Sequence, residues 1–146
     1  MAGIIGTDKS GYANQRNISG LAFDGYEVRR APNVFRSLNY VHFRLTGKAH
    51  PYFDNLHWGN AGRCDLLHFF NGLSLGRTPW LSTFETYLPR WAAYGKGRVE
   101  WGLRLQVRNE CRKLIALSEC TRKIQRDFLR EYPGLAEEIM AKVVVL

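Results

Sequence analysis

No run of 18 or more apolar residues occurs in this sequence, so no segment is long and apolar enough to cross a bilayer as a helix. The opening residues, MAGIIGTDKSGY, lack the charged start and the apolar stretch of a secretory signal, and a cytoplasmic chain is expected. Cysteine is scarce. Cys64, Cys111 and Cys120 form an odd set with no CxxC spacing, which argues against a disulfide framework or zinc site and for a reducing compartment. Also missing are GxGxxG, a P-loop, HExxH, the GxSxG nucleophile elbow and any metal-ligand cluster, while Gly95-Lys96-Gly97 is too short for a phosphate loop. No cofactor and no metal is expected. There is no internal repeat and no low-complexity segment.

What is present is one domain's worth of chain, 146 residues of which 45% are apolar, enough to bury a core. The formal charge is +8 with an isoelectric point near 9.7. It is evenly spread: residues 1–95 carry 10 Lys and Arg against 6 Asp and Glu, and residues 96–146 carry 11 against 7, so each part is +4. Such a spread favours an anionic partner (phosphate, nucleic acid or a lipid surface) or simply keeps the chain soluble.

Residues 1–38 read as a loop-rich lead-in, and residues 39–146 as the folded domain. "NYVHFRLTG" (39–47) mixes β-branched and aromatic residues before a glycine and predicts a strand. Residues 49–63 read as loop with a short helix at most. "CDLLHFF" (64–70) is a near-continuous apolar run halted by Asn71-Gly72, the pattern of a parallel strand buried on both faces, and "WLSTFE" (80–85) is a second. Val99, Leu103 and Val107 recur every four residues and predict a helix. "KLIALSE" (113–119) is a further strand, and Ser118 sits where an N-cap belongs, with Glu119 placed for the helix dipole. Cys120, Ile124 and Phe128 read as the buried stripe of the next helix, with Arg122, Lys123, Arg126 and Arg130 on its wet face. Pro133-Gly134 ends it, a short helix follows, and "VVVL" is a last strand. Strands alternating with helices predict an α/β fold, a Rossmann-like three-layer sandwich with a mostly parallel sheet.

In open α/β sheets ligands bind beyond the carboxyl ends of the strands. Three such ends carry polar groups here: Asn71-Gly72, Thr83-Phe84-Glu85 and Ser118-Glu119. Asn71-Gly72 is turn chemistry, or else faces a ligand. Glu85 is costly to bury unpaired, and Arg90 five residues on is a partner; acceptor binding and a structural ion pair both fit. Ser118 caps a helix whose N-terminus is also a ready anion site. His68, inside an apolar run, reads as a satisfied core histidine before a catalytic one, and Trp80 and Trp91 as core or interface.

"DLLHFFNGLSLGRTPWLSTFETYLPRW", "CRKLIALSECTRKIQRDF" and "KVVVL" together give residues from about 65 to 146 a likeness to a known pattern. In order and spacing they resemble the N-terminal domain of family-four type retaining glycosyltransferases, whose two Rossmann-like domains form the GT-B arrangement. The resemblance implies one half of a GT-B fold, on the side that binds the acceptor. It puts Asn71, Gly72, Thr83, Glu85 and Arg90 near an interdomain cleft and Ser118-Glu119 at the next strand end. It also implies a nucleotide-sugar donor held by a second domain or a partner chain, whose paired-glutamate signature does not occur here. The acceptor would be a sugar or a lipid-linked sugar, and the chain peripheral at a membrane surface. Two rival readings follow from the charge. A nucleic-acid-binding module fits the isoelectric point, but the basic residues are dispersed and no RNP-type motif accompanies them, so nucleic acid is not favoured. A non-catalytic interaction domain that recruits a catalytic partner to a membrane surface is the other.

Overall fold

The computed structural model describes residues 3–7, 23–50, 52–53, 55–58 and 64–146. In chain order the elements are β1 (Gly3–Thr7), β2 (Tyr26–Arg30), α1 (Val34–Thr46), β3 (Leu56–His57), β4 (Leu66–Phe70), β5 (Leu73–Ser74) and β6 (Trp80–Phe84). After a 3₁₀ turn (Ala92–Tyr94) come α2 (Lys96–Val107), β7 (Cys111–Ala116), α3 (Glu119–Leu129), α4 (Pro133–Lys142) and β8 (Val143–Val145). Six strands form one sheet in the order β2-β1-β4-β6-β7-β8, every neighbouring pair parallel, while β3 and β5 make a small parallel ladder beside it. The fold is therefore α/β, a mostly parallel Rossmann-like sheet flanked by helices, as the alternating pattern predicted.

The last four strands of the large sheet fall where the apolar runs lie, and burial is deepest in β4, β6 and β7, while β8 forms the edge. Leu67 and Phe69 of β4, Trp80 and Phe84 of β6, and Leu114 and Ala116 of β7 are sealed from solvent. Each large side chain so buried contributes about 1.5–3 kcal/mol. Against them pack Val99 and Leu103 of α2, Leu129 of α3 and Ile139 of α4. Lys142, at the end of α4, donates from Nζ to the carbonyls of Gln106, Val107 and Arg108 at 2.9, 2.9 and 2.8 Å. One ammonium thus satisfies the orphan carbonyls at the negative end of α2.

Four sequence expectations are corrected. Residues 39–47 are not a strand but the body of α1. Asn33 caps the helix by accepting from the Phe35 amide, and Gly47 closes it in the left-handed region at φ 71°. Residues 1–38 are not merely a lead-in, because β1 and β2 take their places in the sheet, with β1 between β2 and β4. In α3 the buried residues are Thr121, Gln125 and Leu129, while Cys120 and Ile124 are exposed, so the stripe is rotated by one position. Pro133-Gly134 opens α4 instead of only ending α3, proline being tolerated in a first turn where its missing N–H costs nothing. Part of the 49–63 loop lies outside the described residues. No helix among the described residues is long and apolar enough to cross a membrane.

Candidate functional site

The order of the strands locates the site before any side chain is considered. From β1 the chain moves outward to β2, then returns to the other side of β1 as β4 and continues outward through β6, β7 and β8. The crevice beyond the carboxyl ends of β1 and β4 is therefore the topological switch point, where doubly wound sheets bind their ligands. Thr7 ends β1, and its register partner across this crevice is His68. Asn71 follows β4, and Thr83 is the register partner of Phe70 on β6.

Four of the predicted residues meet here. Asn71 is buried and adopts φ 55°, a left-handed conformation that asparagine tolerates and that turns the chain out of the sheet. Its amide donates to the Thr83 carbonyl at 2.8 Å, and its Nδ2 donates to Glu85 Oε1 at 3.4 Å. Arg90 Nη1 donates to the same Glu85 oxygen at 3.2 Å. Both side chains of this ion pair are more than a third exposed, so it orients Glu85 more than it stabilises the fold. Thr83 is buried, its hydroxyl 2.8 Å from His68 Nε2.

The other three candidates stand differently. Gly72 is needed for packing: a Cβ there would lie 2.9 Å from Phe69 Cβ and 3.0 Å from the His57 ring. Ser118 caps α3 by accepting from the Thr121 amide at 3.1 Å. Glu119 is an exposed partner of Arg122 one turn on. The α3 N-terminus nevertheless reaches the crevice by another route, since Thr121 Oγ1 donates to the Glu85 carbonyl at 3.0 Å.

Sequence reasoning missed Thr7 altogether and set His68 aside as core. Both matter because of what their polar atoms lack. Thr7 Oγ1, His68 Nδ1 and Asn71 Oδ1 are buried and have no hydrogen-bond partner. A buried polar atom left unpaired costs about 1–3 kcal/mol. All three belong to β1, to β4 or to the residue that follows β4, on the two strands that flank the switch point. His68 is also held neutral, since burial pushes its imidazole down to about 4. One ring nitrogen of a neutral imidazole accepts and the other donates, and the Thr83 hydroxyl can take either role opposite Nε2. His68 also borders a mostly apolar pocket of about 410 Å³ lined by Ile5, Phe23, Asp24, Tyr26, Leu66 and Leu81. Among the described residues no group of three or more His, Cys, Asp or Glu is arranged to hold a metal ion.

The loop from Glu85 to Trp91 is fixed from beneath by two fully buried glutamines. Gln125 Oε1 accepts from the Leu88 amide at 2.7 Å, while Gln125 Nε2 and Gln106 Nε2 both donate to the Leu88 carbonyl, at 3.1 and 2.9 Å. Gln125→Leu is expected to leave the Leu88 amide buried and unpaired and to cost about 1–3 kcal/mol of stability. Urea unfolding gives that number, and limited proteolysis within 85–91 is expected to speed up in parallel. Unchanged cleavage would separate the glutamine from the loop.

No protein-family model, no curated protein and no solved structure matches this chain.

Proposed function

We propose that the chain is the acceptor-side half of a sugar-transferring enzyme with the GT-B arrangement, binding a hydroxyl-rich acceptor in the crevice beyond β1, β4 and β6. One observation carries this reading: Thr7 and His68, register partners at the switch point of a Rossmann-like sheet, each hold a buried, unpartnered polar atom, and Asn71, whose Oδ1 is also unpartnered, follows β4 beside the Glu85–Arg90 pair. Asn71 and Glu85 offer acceptor oxygens to sugar hydroxyls, and Arg90 offers a fork of donors suited to a phosphate or carboxylate on the acceptor. The sequence has no recognisable phosphate-binding glycine motif of the kind a nucleotide sugar needs. The donor belongs to a second domain or partner chain, and the reaction depends on bringing the two halves together.

Two results are expected from the purified chain. Nuclear magnetic resonance titration with a panel of sugars and sugar phosphates is expected to give weak binding, about millimolar, that Asn71→Ala lowers by about tenfold through loss of one buried hydrogen-bonding group. Calorimetry with nucleotide sugars is expected to show no tight binding and no turnover. Micromolar affinity for a nucleotide sugar, or no response to any sugar, would overturn the reading.

A further inference from the structure

α1 is a helix with its apolar side turned to solvent. Val34, Leu38, Val41 and Leu45 recur at the spacing of one helical stripe, and they are 55, 44, 53 and 80% exposed. Tyr40 and Phe43 add 66 and 52% exposure, and no residue of the helix is buried. The side that holds α1 to the body is a different one. Phe35 stacks on Phe53 at 5.7 Å, and Asn39 accepts from the His50 amide. Trp58, 55% exposed, lies against Phe35 at 6.2 Å and extends the apolar surface past the start of the helix.

The charge of this stretch of sequence has one sign. Between Glu27 and Asp54 the sequence holds Arg29, Arg30, Arg36, Arg44 and Lys48 and no acidic residue. Arg29 is paired with Glu27, at 2.7 Å, and Arg36 has an interaction of its own, so the positive excess beside the stripe rests on Arg30, Arg44 and Lys48. A helix with exposed aliphatic and aromatic residues, arginine among them and no carboxylate is built to lie in the plane of an anionic lipid interface, apolar residues sunk to the headgroup boundary and cations against the phosphates. An exposed tryptophan at the end of such a helix is an interfacial anchor.

We propose that α1, with Trp58, docks this chain on an anionic membrane surface. Three residues separate the end of β2 from the start of the helix, on the carboxyl edge of the sheet where the crevice also lies. Docking there would bring a lipid-linked acceptor to the proposed site. The docking itself does not rest on that reading, and its test contains no sugar.

Flotation with vesicles of phosphatidylcholine alone, and of equal parts phosphatidylcholine and phosphatidylglycerol, measures it directly. The chain is expected to float with the anionic vesicles only. Val41→Glu with Leu45→Glu, at positions too exposed to upset folding, is expected to weaken that binding by about tenfold, because buried aliphatic area and charge sign are both lost. Arg44→Gln with Lys48→Gln is expected to weaken it several-fold and to flatten its salt dependence. Equal flotation with both vesicle types, flotation with neither, or an unchanged affinity in the glutamate variant would overturn the proposal. So would light scattering that shows a dimer in the wild type and a monomer in the glutamate variant, since the stripe would then belong to a second copy.

Discussion

Trp91→Ala is expected to lower the unfolding free energy by about 3–5 kcal/mol, the range for emptying a large aromatic site in a core. Trp91 is fully buried, stacked on Trp101 at 5.7 Å and edge-on to Tyr52 at 5.2 Å. Gly102 makes its room. A Cβ at that position would come within 2.6 Å of Trp91 Cζ3 and 2.7 Å of Pro89 Cγ. The surrounding groups are a helix, a neighbouring ring and a loop pinned by two glutamines, so little can collapse into the space left behind. Trp101, 38% exposed, gives the comparison: Trp101→Ala is expected to cost about 1–2 kcal/mol, since only part of its area leaves water. Urea unfolding followed by circular dichroism measures both. Trp91 also adjoins Arg90, so sugar binding is expected to fall in Trp91→Ala at temperatures where the variant is still folded. Equal costs for the two tryptophans would show that Trp91 does not anchor the loop.

Stability is expected to decline as the pH falls from about 6.5 towards 4, and His68 is the reason. Burial lowers its imidazole from 6.5 to about 4. In that window the folded chain keeps His68 neutral while the unfolded chain takes up the proton. The stability tied to the neutral ring is therefore complete above the unfolded value and is lost progressively as the pH falls to the folded one. The gap corresponds to about 3 kcal/mol. His68→Gln keeps a hydrogen-bonding group opposite Thr83 but cannot titrate, so its stability is expected to vary less across the same window. Urea midpoints at neutral pH and at a pH inside the window, for both proteins, decide it. A profile equally steep in the variant would assign the acid sensitivity to the carboxylates instead.

The central strands were legible because their signal is burial itself. Leu66–Phe70 and Trp80–Phe84 are mostly apolar and buried on both sides, as in a covered parallel sheet. The carboxyl edge was legible for the same reason, since the first polar residues after each run fall there by construction, and Asn71 and Glu85 meet at 3.4 Å. What misled was composition without period. Residues 39–47 carry the β-branched and aromatic residues of a strand, yet Val34, Leu38, Val41 and Leu45 keep a helical spacing that a window opened at residue 39 cut in half. α3 was misplaced by one position because its most buried side chains include Thr121 and Gln125, polar residues buried for the backbone groups they satisfy. Thr7 left no trace. It ends a five-residue strand, Gly-Ile-Ile-Gly-Thr, too short to show a period, and its importance comes from a neighbour 61 positions away.

The right-hand side of the sheet has a temporal meaning as well as a spatial one. From β4 onward each strand of the large sheet pairs with the sheet strand that precedes it in the chain: β6 on β4, β7 on β6, β8 on β7. A ribosome releasing this chain presents each new edge just as the next strand arrives, so assembly proceeds by addition without waiting for a distant partner. The left-hand side begins differently, because β1 must hold open a place for β4, which emerges some 60 residues later. The arrival of Lys142 acts back on an earlier element, because its three hydrogen bonds close the end of α2. Until that residue has left the exit tunnel, α2 carries uncapped carbonyls beside a growing core, and a nascent chain stalled short of it is expected to expose that helix to chaperones.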